Sequence, residues 1–174
     1  MQPKLKEDVQ EALSWVDHLE KVALFQEMGG NEEALRAFSD AMEERVYQPN
    51  SKIIVEGDTS AELFILIRGE ASVYKRTPEG EKFKVARFEG QNYTFFGEGG
   101  LLGADQRSAT IVSDTECHCL VLGQKAFEAL GNRHPDWVLT FYRKVAGLVL
   151  ARQRKTNHDL MTLYKALVDE IRGN

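Results

Sequence analysis

Apolar positions change their period twice along the chain, and the changes divide it into three parts. From Glu7 to about Met28 they recur at helical spacing, at Val9, Leu13, Val16, Leu19, Val22, Leu24 and Phe25, until Gly29-Gly30 stops the run. A second helical stretch is predicted from Asn31, a plausible cap, through Leu35, Phe38, Met42 and Val46. From Tyr47 to Leu122 the period becomes that of strands. Short runs rich in Val, Ile, Phe and Tyr cover Lys52–Val55, Leu63–Ile67, Ala71–Lys75, Lys82–Phe88, Ala109–Val112 and Cys117–Leu122. Pro49-Asn50, Gly57-Asp58, Gly69-Glu70, Pro78-Glu79-Gly80 and Glu89-Gly90 punctuate them, the pattern of an antiparallel sandwich or small barrel. From Gly123 the helical period returns, with a short helix over Lys125–Leu130 and a long one beginning at Pro135. Uninterrupted to Ile171, that helix would measure about 55 Å at roughly 1.5 Å per residue, more than one small barrel can cover. The expected organisation is helices over 1–46, a β domain over 47–122, and a short and a long helix over 123–174.

The long helix carries two apolar seams, Phe141, Val145 and Leu148, then Leu160, Tyr164, Leu167 and Ile171. Their four-then-three spacing suits a two-stranded coiled coil, so a homodimer through this helix is expected. The alternative is a helix folded back on its own barrel. The polar stretch Arg152–Asp159 separates the two seams.

Composition excludes more than it selects. The chain has 174 residues, 43% apolar and 28% charged, with a net charge of −5. That is enough apolar residue for a core, and no basic excess suits DNA or an anionic membrane. No apolar run reaches the length of a membrane span, and the polar N-terminus lacks a secretion signal. Cys117 and Cys119 lie two apart on a strand, where a disulfide is geometrically poor, so a reduced, cytoplasmic chain is expected. His18, His118, His134 and His158 fall in separate segments without metal-ligand spacing. No Ser/His/Asp motif is present, and no enzymatic activity is expected.

Candidate chemistry concentrates in Phe96-Gly97-Glu98-Gly99-Gly100-Leu101-Leu102-Gly103-Ala104-Asp105-Gln106-Arg107-Ser108-Ala109-Thr110. Glycines at the start of a short helical turn let backbone N–H groups approach an anion. Arg107 adds a planar fork suited to two phosphate oxygens, and Glu98 can accept from a sugar hydroxyl. Anion and hydroxyl side by side suggest a sugar phosphate; a loop with a surface Arg–Glu pair is the plainer alternative.

These residues resemble the phosphate-binding cassette of the cyclic nucleotide-binding domain family. The family includes the sensor domain of the bacterial catabolite activator protein and the regulatory subunits of cAMP-dependent kinase. Val55-Glu56-Gly57-Asp58 and Leu63–Val73 resemble the family's glycine-punctuated strand pair, and Cys119–Leu122 with Phe127 and Leu130 its last strand and short helix. The resemblance runs from about Leu19 to Gln153. It implies an α+β fold, an antiparallel β-barrel or jelly roll (double-stranded β-helix) with N-terminal helices and a long C-terminal helix. It assigns the equatorial phosphate oxygens to Arg107 and the ribose 2′-hydroxyl to Glu98. Backbone N–H groups around Gly97, Glu98, Gly99, Gly100, Ser108 and Ala109 would complete the cradle. Leu101 would pass cassette movement to the C-terminal helices, Val73 would wall the base, and Arg152 and Gln153 would contact it. Ser108 after the arginine favours cAMP over cGMP as ligand.

Two positions depart from the family pattern: Gly99 replaces a usual apolar residue, and the Gln91–Phe95 link is longer than usual. No residues remain after the long helix for a helix-turn-helix, so no direct DNA binding is expected. The expectation is a cytoplasmic sensor, with no membrane contact, that acts through an effector protein. A non-binding interaction module of the same fold, and a sensor of another effector such as a cyclic dinucleotide, are the alternatives.

Overall fold

A computed structural model describes residues 15–103 and 106–173. The Val9 and Leu13 positions of the first predicted helix lie outside the described residues. Residues 15–19 are helical and lead into a 3-10 stretch, Ala23–Met28. Helix α1 (Glu32–Asp40) follows, capped by the Asn31 side chain, which accepts from the Ala34 N–H at 3.0 Å. The strands are β1 (Met42–Tyr47), β2 (Lys52–Ile54), β3 (Glu62–Arg68), β4 (Glu70–Arg76), β5 (Lys82–Glu89), β6 (Phe95–Phe96), β7 (Thr110–Ser113) and β8 (Cys117–Gly123). A single helical turn, α2 (Glu98–Leu101), sits between β6 and β7, and α3 (Gln124–Arg133) and α4 (Pro135–Arg172) close the chain.

All strand pairs are antiparallel, in two four-stranded sheets ordered β1-β8-β3-β6 and β2-β7-β4-β5. This is the jelly-roll sandwich expected. The first sheet is covered on both faces. Phe64 and Leu66 of β3, with Cys117, Cys119 and Val121 of β8, face the second sheet. Leu63 and Ile65, with Leu120 and Leu122, face the helices. Burial on both faces explains why β3 reads as an unbroken apolar run, Leu63–Ile67, rather than an alternating one.

The helical core is aromatic. Phe141 of α4 lies 5.1 Å from Phe127, 5.4 Å from Phe38 and 5.6 Å from Phe25, centroid to centroid, and is fully buried. Three expectations are corrected here. Met42 and Val46 do not continue α1, and the β domain begins at Met42 rather than at 47, because Met42–Tyr47 pairs residue for residue with Leu122–Cys117. The two-residue strand β6, pairing Phe95-Phe96 with Ile65-Phe64, lies in a segment read as loop. Phe141, Val145 and Leu148 form no intersubunit seam; they pack on the chain's own helical core. The far half of α4 lies free of that core, with Leu160, Met161, Leu163, Tyr164, Leu167 and Ile171 exposed, and in the near half Leu139, Tyr142 and Leu150 are exposed as well.

Both cysteines are free and buried, and burial pushes the Cys119 thiol up to about 12. His118 points to the opposite face, 2.6 Å from the Glu44 carboxylate, which raises its pKa. Among the described residues no group of His, Cys, Asp and Glu could hold a metal ion, and no helix is long and apolar enough to cross a membrane.

Because Phe141 joins three aromatic rings at the centre of the helical core, Phe141→Ala should cost about 3–5 kcal/mol of stability. Urea unfolding followed by circular dichroism measures it; a loss below about 1 kcal/mol would mean that α4 is not locked to the core here.

Candidate functional site

Arg107 is the one arginine among the described residues that is buried, at 5% exposure. Its backbone is fixed by the β2–β3 turn: the Arg107 N–H donates to the Asp58 carbonyl at 2.7 Å, and the Gly57 N–H donates to the Arg107 carbonyl at 2.9 Å. Its guanidinium donates through each nitrogen to a neutral acceptor. Nε reaches Ser60 Oγ at 2.9 Å, Nη1 the Gly97 carbonyl at 2.8 Å, and Nη2 the Glu62 carbonyl at 2.8 Å. No carboxylate among the described residues forms an ion pair with it. Burial therefore lowers its pKa, and the nearby charges of Glu62, Asp58 and Glu98 offset this only in part. At this depth the group stays a cation, since an arginine does not deprotonate in proteins.

Glycines make the room. Gly97 holds φ +79°, a conformation that side chains rarely adopt, and a Cβ there would stand 2.8 Å from Arg107 Nη1. A Cβ at Gly100 would lie 2.6 Å from the Ser60 carbonyl and 2.8 Å from the same Nη1. The Gly100 N–H donates to the Gly97 carbonyl at 3.1 Å. Gly100 thus serves by lacking a side chain more than by offering a donor.

Over this cradle opens a cavity of about 270 Å³, lined by Gly97, Glu98, Gly99, Gly100, Arg107 and Ser108, with Leu102, Gln106 and Val149 at its rim. Six of the candidate residues are therefore brought together. Ala109 is half-buried at the entry to β7 and does not line the cavity. Val73 lies in the core between the sheets with Ile53, Phe96 and Ile111, away from the cavity. Gln153 is exposed on α4.

Arg152 is placed differently from expectation. Its Nη1 donates to Glu98 Oε1 at 2.8 Å, its Nη2 to the Phe95 carbonyl at 3.2 Å, and its guanidinium lies 4.2 Å from the Phe95 ring centroid. The carboxylate marked as a hydroxyl acceptor is thus shared with the long helix. Leu101 is buried in the core that holds Phe141 and Val145. Ser60 was not singled out from the sequence; a serine in a turn carries no periodic signal.

A larger groove of about 530 Å³ runs beside β1 and the start of α3, but its arginine, Arg45, is already engaged by Glu43 and Glu62. Among the described residues, the smaller cavity alone combines a buried cation lacking an ionic partner with a carboxylate.

The Gly100 geometry sets a test. Gly100→Ala should cost about 1–3 kcal/mol through displaced Arg107 and Ser60, whereas Gly147→Ala, in open space within α4, should be neutral or stabilising by up to about 1 kcal/mol. Thermal unfolding compares the two; equal effects would mean that the cradle yields freely.

Comparisons with known proteins identify the family of the fold. A family model described as the cyclic nucleotide-binding domain matches residues 44–134, just over half of the chain. A cAMP-dependent protein kinase regulatory subunit of Neurospora crassa is 37% identical over 92 residues, 53% of this chain and 23% of that protein. A cGMP-dependent protein kinase of Drosophila melanogaster, isozyme 2 forms cD5/T2, is 31% identical over 116 residues, 66% of this chain and 12% of that protein. The catabolite activator protein of Thermus thermophilus superposes with a TM-score of 0.68 at 25% identity, covering 81% of this chain and 62% of that one. The chain thus spans less than a quarter of the length of the two kinase relatives. It belongs to the cyclic nucleotide-binding domain family.

Proposed function

We propose that the chain is a cyclic nucleotide receptor, with cAMP the favoured ligand, whose site residues bind rather than catalyse. The observation that carries this reading is the buried Arg107 beside an open cavity, with neutral acceptors on three of its N–H groups and no ionic partner among the described residues. Three of its five N–H groups are engaged by those partners, and the remaining two suit a bidentate phosphate. At about 270 Å³ the cavity falls at the small end of ligand sites, sized for the sugar phosphate with the base projecting toward α4. Ser108 and the cAMP-dependent relative support cAMP; the cGMP-dependent relative keeps cGMP in the experiment.

The ribose 2′-hydroxyl would donate to Glu98, the acceptor that Arg152 now holds. Ligand and long helix would therefore meet on one carboxylate, and occupancy would bias the position of α4. Only a difference in affinity for two helix arrangements can drive such a switch. The exposed face at Leu160, Tyr164, Leu167 and Ile171 suits a second copy of the chain, giving a homodimer that signals to an effector protein.

Calorimetry with cAMP and cGMP tests the ligand. One-site binding of cAMP, tighter than cGMP, is expected, and Arg107→Ala should weaken it by about 3–5 kcal/mol. Near wild-type affinity in that variant would place the phosphate elsewhere. Absence of binding to both at millimolar concentration would leave a non-binding module or, if a larger mass copurifies, a sensor of a cyclic dinucleotide. Sedimentation equilibrium tests the assembly: Leu160→Glu with Leu167→Glu should convert dimer to folded monomer, and a monomeric wild type would refute the dimer.

A further inference from the structure

We propose that Ser60 is the positioning residue of this anion site: its hydroxyl fixes the rotation of the Arg107 guanidinium and so aims the fork at the ligand. The inference rests on the reading that Arg107 receives the phosphate. Two of the three anchors on the guanidinium are backbone carbonyls, Gly97 on Nη1 and Glu62 on Nη2. Both act at the tip of the fork, whose base is tethered only by the flexible Cδ–Nε stem. The third anchor, Ser60 Oγ on Nε at 2.9 Å, holds the base and so fixes the plane from its other end. Among the described residues it is the only anchor supplied by a side chain.

Ser60 is itself well placed to act as a fixed point. It belongs to the β2–β3 turn that grips the Arg107 backbone through Gly57 and Asp58. Its own carbonyl lies against Gly100, at 2.6 Å from the position of a Cβ there, so the turn and the cassette touch at this residue. Glu62, two residues on, offers its carbonyl to Arg107 while Arg45 holds its carboxylate at 2.6 Å. That division keeps the acidic side chain of this segment engaged elsewhere. The hydroxyl also has the right charge. A carboxylate in its place would neutralise Arg107 and compete with the anion, whereas a neutral acceptor orients the fork and leaves the positive charge for the ligand.

The experiment compares Ser60→Ala, Ser60→Thr and Ser60→Asp with the wild-type chain by calorimetry with cAMP. It is paired with nitrogen-15 NMR of the Arg107 Nε–H exchange rate in the unliganded chain. Ser60 is exposed, so all three variants should fold, and Ser60→Ala should melt slightly below wild type because the buried Arg107 Nε–H loses its acceptor. Ser60→Ala should bind about fivefold more weakly, the worth of roughly one hydrogen bond, and its Arg107 Nε–H should exchange faster. Ser60→Thr, which keeps the hydroxyl, should restore both, and Ser60→Asp should bind more weakly than Ser60→Ala. Affinity in Ser60→Ala equal to or tighter than wild type, or an unchanged exchange rate, overturns the proposal. If the wild type binds neither cyclic nucleotide, the receptor reading fails separately, and the exchange rate still decides whether Ser60 anchors Arg107.

Discussion

Burying a guanidinium away from water costs several kcal/mol unless its donors are satisfied, and removing its partners leaves that cost uncompensated. Arg107 meets the requirement with a hydroxyl and two main-chain carbonyls, one for each of its three nitrogens, while no carboxylate among the described residues pairs with its charge. Much of the surrounding architecture is needed to hold that one group. Gly97 must take a left-handed conformation to turn its carbonyl inward, and Gly100 must lack a Cβ. The β2–β3 turn must lie flush against the cassette to present Ser60, Asp58 and Glu62 at once. Phe64, stacked on Phe96 at 5.4 Å, floors the site 5.8 Å below the guanidinium. The arrangement leaves a buried positive charge beside an open cavity, with no ionic partner among the described residues.

The cassette is tied to both cores through two adjacent residues. Phe95 enters the helical core and carries Arg152 on its ring, whereas Phe96 enters the core between the sheets. Adjacent strand residues point to opposite faces, so two residues of β6 suffice to pin the start of α2 from either side. A sheet buried on both faces makes this possible, and the same burial gives β3 and β8 their dense apolar sequence.

The legible parts of the sequence were those where one physical signal dominates. Strands β2 to β5, β7 and β8 stand out because turn residues bound them, and α4 because Pro135 starts it. Strand β1 does not, since Met42 and Val46 are spaced as on a helix and only pairing with β8 makes Met42–Tyr47 extended. Strand β6 is too short to carry a period. Arg107 and Glu98 were found through chemistry and order along the chain, and the cavity joins them. The partner of Glu98 was not legible, because it depends on how far α4 folds back before leaving the core. The same distance explains why Phe141, Val145 and Leu148 share a spacing with Leu160, Tyr164, Leu167 and Ile171 but not an environment. Periodicity reports that a face is apolar; it does not say which surface covers it.

The Arg152–Glu98 contact is weaker than its geometry suggests. With side-chain exposures of 46% and 19%, it sits where ion pairs contribute about 0–1 kcal/mol, and the Phe95 ring adds roughly 0.5–1 kcal/mol more at such a site. The contact is therefore one that a ligand hydroxyl can displace or share, and too small to hold α4 in place alone. The anchor of α4 is the aromatic cluster at Phe141, with Val145 one turn on. A ligand acting through Glu98 would then leave the helix start fixed and alter the path beyond Val149, where every described residue but Val168 is exposed. Gly147, in open space at that boundary, lowers helix propensity at the place where such bending is least resisted. A bias of about 1 kcal/mol shifts a two-state equilibrium only about fivefold, far short of the roughly 5.5 kcal/mol of a full switch. In the proposed receptor the remainder must come from phosphate contacts at Arg107 and from whatever the exposed half of α4 packs against. In that receptor the site would start the change, and whatever covers the exposed half of α4 would have to complete it.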